Sequence, residues 1–211
     1  MNLIKKAIFI GGFAFFLALA GTGQATAQGK PDPRPDFITT LNEQNIRAFL
    51  NEVDEISTGQ RMDMLDEDLA DYFNNHIADK GLFKSKMRYE IPGYPTQETE
   101  MELDKVQYIN SVIRSRAMME DYHADIDIQD LKIHNSGRSA TFTSVVTEKG
   151  QMPFPKDPKK PNEVQMIPIT GKSTCDQKLI VSFNHFIQMA EAECETFISF
   201  DPFGGKPLVP E

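Results

Sequence analysis

The chain reads as an α+β domain, and three observations carry that reading. Apolar residues recur at helical spacing in three stretches before residue 118. After residue 120 they alternate with polar ones at period two over several long stretches. Turn signals separate the two regimes, and helices grouped ahead of a run of antiparallel strands lie together on one face of a sheet.

The elements follow in order. Thr40-Leu41-Asn42-Glu43 has the form of a capping box, and Ile46, Phe49, Leu50, Val53 and Ile56 behind it make one apolar stripe. Ser57-Thr58-Gly59 ends that helix. A shorter helical piece over about 62–74 carries Leu65, Leu69, Tyr72 and Phe73. From Leu82 to Ile91 the period changes to two, with Phe83, Ser85, Met87, Tyr89 and Ile91 on one face and Lys84, Lys86, Arg88 and Glu90 on the other. Pro92-Gly93-Tyr94-Pro95 breaks this strand. Asp104 then caps a third helix with Gln107 at the box position, and Val106, Tyr108, Ile109, Val112, Ile113 and Ala117 form its stripe.

Four long strands complete the domain. Ala124, Ile126 and Ile128 alternate with polar residues, and the phase then slips to Leu131 and Ile133, which predicts a bulge near Asp130. Asn135-Ser136-Gly137 is a turn, and Arg138–Thr147 is the return strand. A Pro- and Lys-rich loop is expected over 150–161, with strands resuming at about Glu163. For the last hairpin a two-residue turn at Asn184-His185 places Cys175 opposite Cys194 and Lys178 opposite Glu191. The inner face then holds Cys175, Gln177, Leu179, Val181 and Phe183. In this register the cysteines are a hydrogen-bonded pair with α-carbons ~5.5 Å apart.

The N-terminus places the chain in the cell. Lys5 and Lys6 precede an apolar run, Ala7–Ala20, and the small triplet Ala25-Thr26-Ala27. This is the layout of a secretory signal with cleavage after Ala27. The same run, Ile4–Gly23, approaches the ~20 residues of a membrane anchor. The expected organisation is a signal over 1–27, a flexible lead-in over 28–39, one domain over 40–200 and a loose tail over 201–211. The expected location is periplasmic or secreted, with no membrane association after cleavage. In an oxidising compartment Cys175 and Cys194 read as a disulfide stapling the hairpin.

Composition excludes several functions. The formal charge of −9, which becomes −11 once Lys5 and Lys6 leave with the signal, argues against nucleic acid. Two cysteines cannot build a zinc finger or an iron–sulfur site, and the four histidines, 76, 123, 134 and 185, show no ligand spacing. Nine methionines follow the signal, Met62, Met64, Met118 and Met119 forming the close pairs, and they read as core filling and not as copper ligands. No metal or cofactor is expected.

The segments from Leu103 to Tyr108, Ser139 to Glu148, Gly171 to Cys175 and Ala192 to Thr196, together with the element order, resemble secreted bacterial members of the NTF2-like (SnoaL, ketosteroid isomerase) superfamily. The resemblance spans roughly residues 42–200. It implies a cone, with N-terminal helices packed on a strongly curved, mainly antiparallel sheet and a pocket beneath them. Isomerases, dehydratases, hydrolases and non-catalytic domains share that fold, so it does not fix function.

Three expectations about function follow. The first is a non-catalytic exported domain that binds a partner protein or a small apolar ligand. The second is an enzyme using Asp71, Tyr72 and His76, near the end of the second helix, to polarise a carbonyl and move a proton. The plainer reading of those residues, and the preferred one, is a core tyrosine with two solvated neighbours. The third is a homodimer formed through the sheet face. The basic face Lys84, Lys86 and Arg88, and the loop Lys156–Lys160, are the places where an acidic partner would dock; the plainer and preferred reading of both is solvated charge. His123 lies on the polar phase of its strand and reads as exposed.

Overall fold

The computed structural model describes residues 37–57, 64–91, 95–116, 120–157 and 160–201. Helices α1 (Glu43–Ser57) and α2 (Asp66–His76) lead into strands β1 (Ile77–Glu90) and β2 (Gln97–Leu103). Helix α3 (Lys105–Arg116) follows, and then β3 (Glu120–Ile133), β4 (Ser139–Asp157), β5 (Lys160–Val181) and β6 (Ile187–Phe200). The six strands form one sheet in the order β2-β1-β6-β5-β4-β3. Only the β1–β6 pair is parallel, so the sheet is mixed, curved and mainly antiparallel, and the fold is α+β.

The α1 stripe packs as its spacing predicts: Ile46, Phe49, Leu50, Val53 and Ile56 are all buried. Its cap is shifted from the expected position. Asn42 and Asn45 exchange the capping bonds, Asn45 N–H to Asn42 Oδ1 at 2.9 Å and Asn42 N–H to Asn45 Oδ1 at 2.8 Å. The α3 box forms as expected, Gln107 N–H to Asp104 Oδ1 at 2.9 Å and Asp104 N–H to Gln107 Oε1 at 3.1 Å. Tyr108, Ile109 and Val112 are buried, whereas Val106 faces water because only the 108/109/112 side meets the sheet. The expected end of this stripe, Ala117, lies outside the described residues, as do the expected signal, most of the expected lead-in and the expected tail beyond Asp201.

Five expectations about the strands need correction. Strand β2 has no counterpart in the expected order; it pairs antiparallel with β1, Lys86 opposite Glu100. The expected loop over 150–161 is mostly strand, with Met152 opposite Ile167 and Phe154 opposite Gln165. The loop expectation rests on the prolines of this segment. Pro153 and Pro155 lie beyond Gln151, where β3 pairing ends, so their missing N–H groups interrupt no ladder on that side. The hydrophobic side of this arm closes a second core of Met87, Tyr89, Ile91, Met152, Ile167, Ile169, Ile198 and Phe200.

The last hairpin has a three-residue loop. Phe183, Asn184 and His185 bridge Ser182 and Phe186, and His185 takes φ 65°. Val181 pairs with Ile187 and Leu179 with Met189, and the register then shifts past Ala190 so that Lys178 faces Glu191. The longer turn and the bulge cancel, and Cys175 faces Cys194 as expected. The pair is of the closer, non-hydrogen-bonded kind, with a Cα separation of 4.1 Å, and it is disulfide-bonded. Phe183 sits at the turn tip and is 94% exposed, not on the inner face. The bulge predicted near Asp130 is present, with φ 52° at that residue and a register shift between Gln129 and Lys132. These bulges increase local twist and bend the sheet around the helices. Gly137 takes φ +66° in the β3–β4 turn, and its carbonyl accepts the Leu41 N–H at 2.6 Å, fastening the start of the domain to the sheet end.

Candidate functional site

The face of the sheet beneath the helices is not uniformly apolar. Ala140, Phe142, Ser144, Val146 and Glu148 of β4 point inward together, as do Gly171, Ser173, Cys175, Gln177 and Leu179 of β5. Strand β6 adds Thr196 and β1 adds Ser85. Glu148 is 2% exposed, and Ser144, Ser173, Gln177, Thr196 and Ser85 are equally sequestered. Buried polar groups need partners, and most find them across the ladders. Gln177 Nε2 donates to Ser144 Oγ at 2.6 Å, and the Ser173 and Thr196 hydroxyls share a hydrogen bond of 3.0 Å.

The centre of greatest chemical interest is Glu148. Tyr122 of β3 donates its hydroxyl to Glu148 Oε2. Burial drives the carboxyl up to about 8, the Tyr122 and Ser173 hydroxyls pull it the other way, and the Asp54 charge on α1 pushes it further up. Glu148 is therefore held mainly as the neutral acid at pH 7. Tyr122 rises well above the ordinary phenol value, first through burial and then through the Glu148 charge and hydrogen bond. Asp54 itself is buried. Glu148 Oε1, Ser85 Oγ and Gln177 Oε1 are buried and accept or donate no hydrogen bond among the described residues. A neutral acid with one oxygen anchored and the other unengaged can present an O–H to an acceptor.

The residues singled out from sequence come together only in part. Tyr72 stacks on His76, one turn along α2, with centroids 4.3 Å apart, while Asp71 projects into solvent. Phe49 and Phe186 also pack on the His76 ring. His76 Nδ1 lies 2.8 Å from the Ile187 carbonyl, which can only accept, so Nδ1 carries the proton. Burial lowers the His76 pKa against the opposing pull of that bond. His76 thus joins α2 to β6 within an aromatic cluster. His123 is exposed.

Lys84, Lys86 and Arg88 project from the opposite, outer face as a column. The column is flanked on both sides by acid: Glu102, Glu100 and Glu98 on β2, and Glu193 and Glu195 on β6, with Phe197 beside Arg88. The side chains of the Lys156–Lys160 loop lie outside the described residues. Among the described residues no group of three or more His, Cys, Asp or Glu is arranged to hold a metal, and no helix is long and apolar enough to cross a membrane.

Sequence reasoning missed Glu148, although the signal was present. Glu148 continues the inward phase of Ala140, Phe142, Ser144 and Val146. A carboxylate on the apolar phase of a strand marks a buried acid. Asp54, four residues after Leu50 on the α1 stripe, carries the same signal.

No family model and no curated protein matches the sequence. Solved structures with a similar fold include a conserved protein of Planctomyces limnophilus, at 11% identity over 75% of this chain and 97% of that one, TM-score 0.47. A hexachlorocyclohexane dehydrochlorinase of Novosphingobium barchaimii matches at 10% identity over 81% of this chain and 100% of its own, TM-score 0.42. A ketosteroid isomerase-like protein of Erwinia carotovora matches at 15% identity over 61% and 81%, TM-score 0.33. These are likenesses of fold alone.

Proposed function

We propose that the chain is an exported, non-catalytic domain that binds a small, mainly apolar molecule carrying a hydrogen-bond acceptor such as a carbonyl. Its site is the polar end of the inner sheet face. The observation that carries the reading is Glu148 Oε1, a buried oxygen with no hydrogen-bond partner among the described residues, on a carboxyl that burial keeps mainly protonated. A neutral carboxyl in apolar surroundings donates to a carbonyl without the desolvation cost of a buried charge. Tyr122 fixes its orientation.

Titration with the neutral fluorescent ketone 6-propionyl-2-dimethylaminonaphthalene tests this reading. The expected result is saturable one-to-one binding, weakened at least tenfold by Glu148→Ala and much less by Glu148→Gln, whose amide still donates. Absence of saturable binding, or equal binding by the alanine variant, overturns it.

A second reading, proton transfer at the same place, is favoured by the Asp54 charge acting on Glu148. A carboxyl whose proton affinity a neighbouring carboxylate raises can serve as a general acid. Protein-dependent deuterium exchange at the carbon next to the probe's carbonyl, in heavy water, supports catalysis; binding without exchange supports the non-catalytic reading.

A further inference from the structure

One end of the sheet gathers two turns and residues 37–41. The β3–β4 turn lies beside the β5–β6 loop, because Arg138 Nη2 donates to the Val181 carbonyl at 3.0 Å and to the Ser182 carbonyl at 3.2 Å. Residues 37–41 run past both. The Leu41 N–H bonds to Gly137, the Ile38 N–H donates to the His185 carbonyl at 3.2 Å, and the Phe37 and His185 ring centroids are 4.4 Å apart. Three large apolar side chains meet water here: Phe183 is 94% exposed, Phe37 75% and Ile133 39%. The loop that carries Phe183 is closed at its neck. The Ser182 N–H donates to the Phe186 carbonyl at 2.8 Å, and the Phe186 N–H to Ser182 Oγ at 3.0 Å. A fixed turn therefore holds a phenylalanine out into solvent.

Charge at this end runs against that of the chain. The formal net charge is −9, yet residues 37–42, 132–138 and 181–187 hold Lys132, Arg138, His134 and His185 and no Asp or Glu. Lys132, His134 and Arg138 are exposed. At the margins, Glu43 is paired with Arg47 at 2.9 Å, and Asp130 lies two residues further from the turn than Lys132. The four charges just ahead of Phe37 in sequence, Lys30, Asp32, Arg34 and Asp36, sum to zero.

We infer that this end docks on the surface of an anionic lipid bilayer, with Phe183 and Phe37 entering the interface and Lys132 and Arg138 at the headgroups. Exposed rings supply apolar area to bury, and basic side chains beside them are drawn to anionic lipid. Shape favours lipid over protein. The rings stand on projecting turns among exposed polar residues, Asn135, Ser136 and Asn184. A specific protein interface needs about 800 Å² per partner with an apolar centre, whereas a bilayer takes in single projecting side chains. The contact is peripheral, since no described helix is long and apolar enough to cross a membrane. It replaces the expectation of no membrane association after cleavage.

The sequence contains no tryptophan, so a single introduced one reports its own surroundings. Phe183→Trp, its fold checked by circular dichroism, is titrated with vesicles of phosphatidylcholine and phosphatidylglycerol. The expected result is a blue shift of its emission and quenching by lipids brominated on the acyl chains. Val164→Trp, at an exposed site near the other end of β5, is the control and is expected to show neither. Because the signal is local, attachment of any other segment to the vesicles does not imitate it. Vesicles of phosphatidylcholine alone, or Lys132→Glu in the Phe183→Trp background, are expected to raise the lipid concentration for half the change at least fivefold. Phe37→Ser in that background is expected to raise it at least threefold. Unchanged emission from Phe183→Trp, or an equal response from Val164→Trp, overturns docking through this end. Equal response to neutral and anionic vesicles overturns the choice of an anionic surface. A shift that appears without vesicles and grows with protein concentration marks a protein contact and overturns the lipid assignment.

Discussion

The bond between Tyr122 and Glu148 joins two strands at a buried carboxyl of the inner face. Removing the phenol hydroxyl leaves a second carboxyl oxygen buried without a donor, and such an orphan costs about 1–3 kcal/mol. Tyr122→Phe is therefore expected to lower the urea-derived unfolding free energy at pH 6 by an amount in that range. Tyr122→Phe in a Glu148→Leu background is expected to cost less than half as much, because no carboxyl remains to be orphaned. Equal losses in the two backgrounds would mean that the tyrosine acts through packing alone. Glu148 was legible from its strand phase. The Tyr122 partnership was not, because it depends on which strands become neighbours and on the shift between Glu120 and His123 that aims the ring.

Among the elements, a local signal is legible where one choice of residues satisfies it, and a signal that depends on neighbours is not. The α3 box needs only Asp104 and Gln107, and it forms as spaced. Asp104→Ala is expected to destabilise the domain by about 1 kcal/mol, as loss of a cap does, with Asp104→Ser close to wild type; a thermal melt distinguishes the three. At the start of α1 the local signal was ambiguous, since Thr40 and Asn42 both suit a cap. The choice fell to Asn42 because Leu41 is drawn into the core and its N–H bonds to Gly137. The β4–β5 arm misled for the opposite reason. Its prolines are poor strand residues in general but harmless where a strand has outrun its neighbour, and the length of a neighbour is not written in the segment itself. The β5–β6 hairpin shows how a pattern can give the right pairing through compensating differences. The inward phase of both cysteines demanded one register, and the Ala190 bulge restores it after a turn one residue longer than expected.

For the molecule as a whole, two buried titratable groups set opposing limbs of stability against pH. Glu148 has a folded value of about 8 against 4.5 when exposed. Its contribution is complete below 4.5 and is lost as pH rises toward 8, because the unfolded chain releases the proton first, at up to about 1.4 kcal/mol per pH unit. His76 has a folded value below 6.5, held down by burial. Its contribution is complete above 6.5 and is lost as pH falls below it, because the unfolded chain binds the proton first. Between 4.5 and 6.5 the two slopes oppose each other wherever both act, and between 6.5 and 8 Glu148 acts without His76. The expected profile declines toward pH 8 and is shallower from about pH 5 to 6.5, where the His76 limb opposes that of Glu148. Melting temperatures from pH 5 to 9 check it. Glu148→Gln is expected to remove the decline above 6.5 and to expose the His76 limb below it, so that the variant gains on wild type most at pH 8 and least at pH 5. A wild-type profile that rises between pH 6.5 and 8, or a Glu148→Gln variant with an unchanged profile, would show that Glu148 is not held neutral in the folded chain and would remove the donor on which carbonyl binding depends.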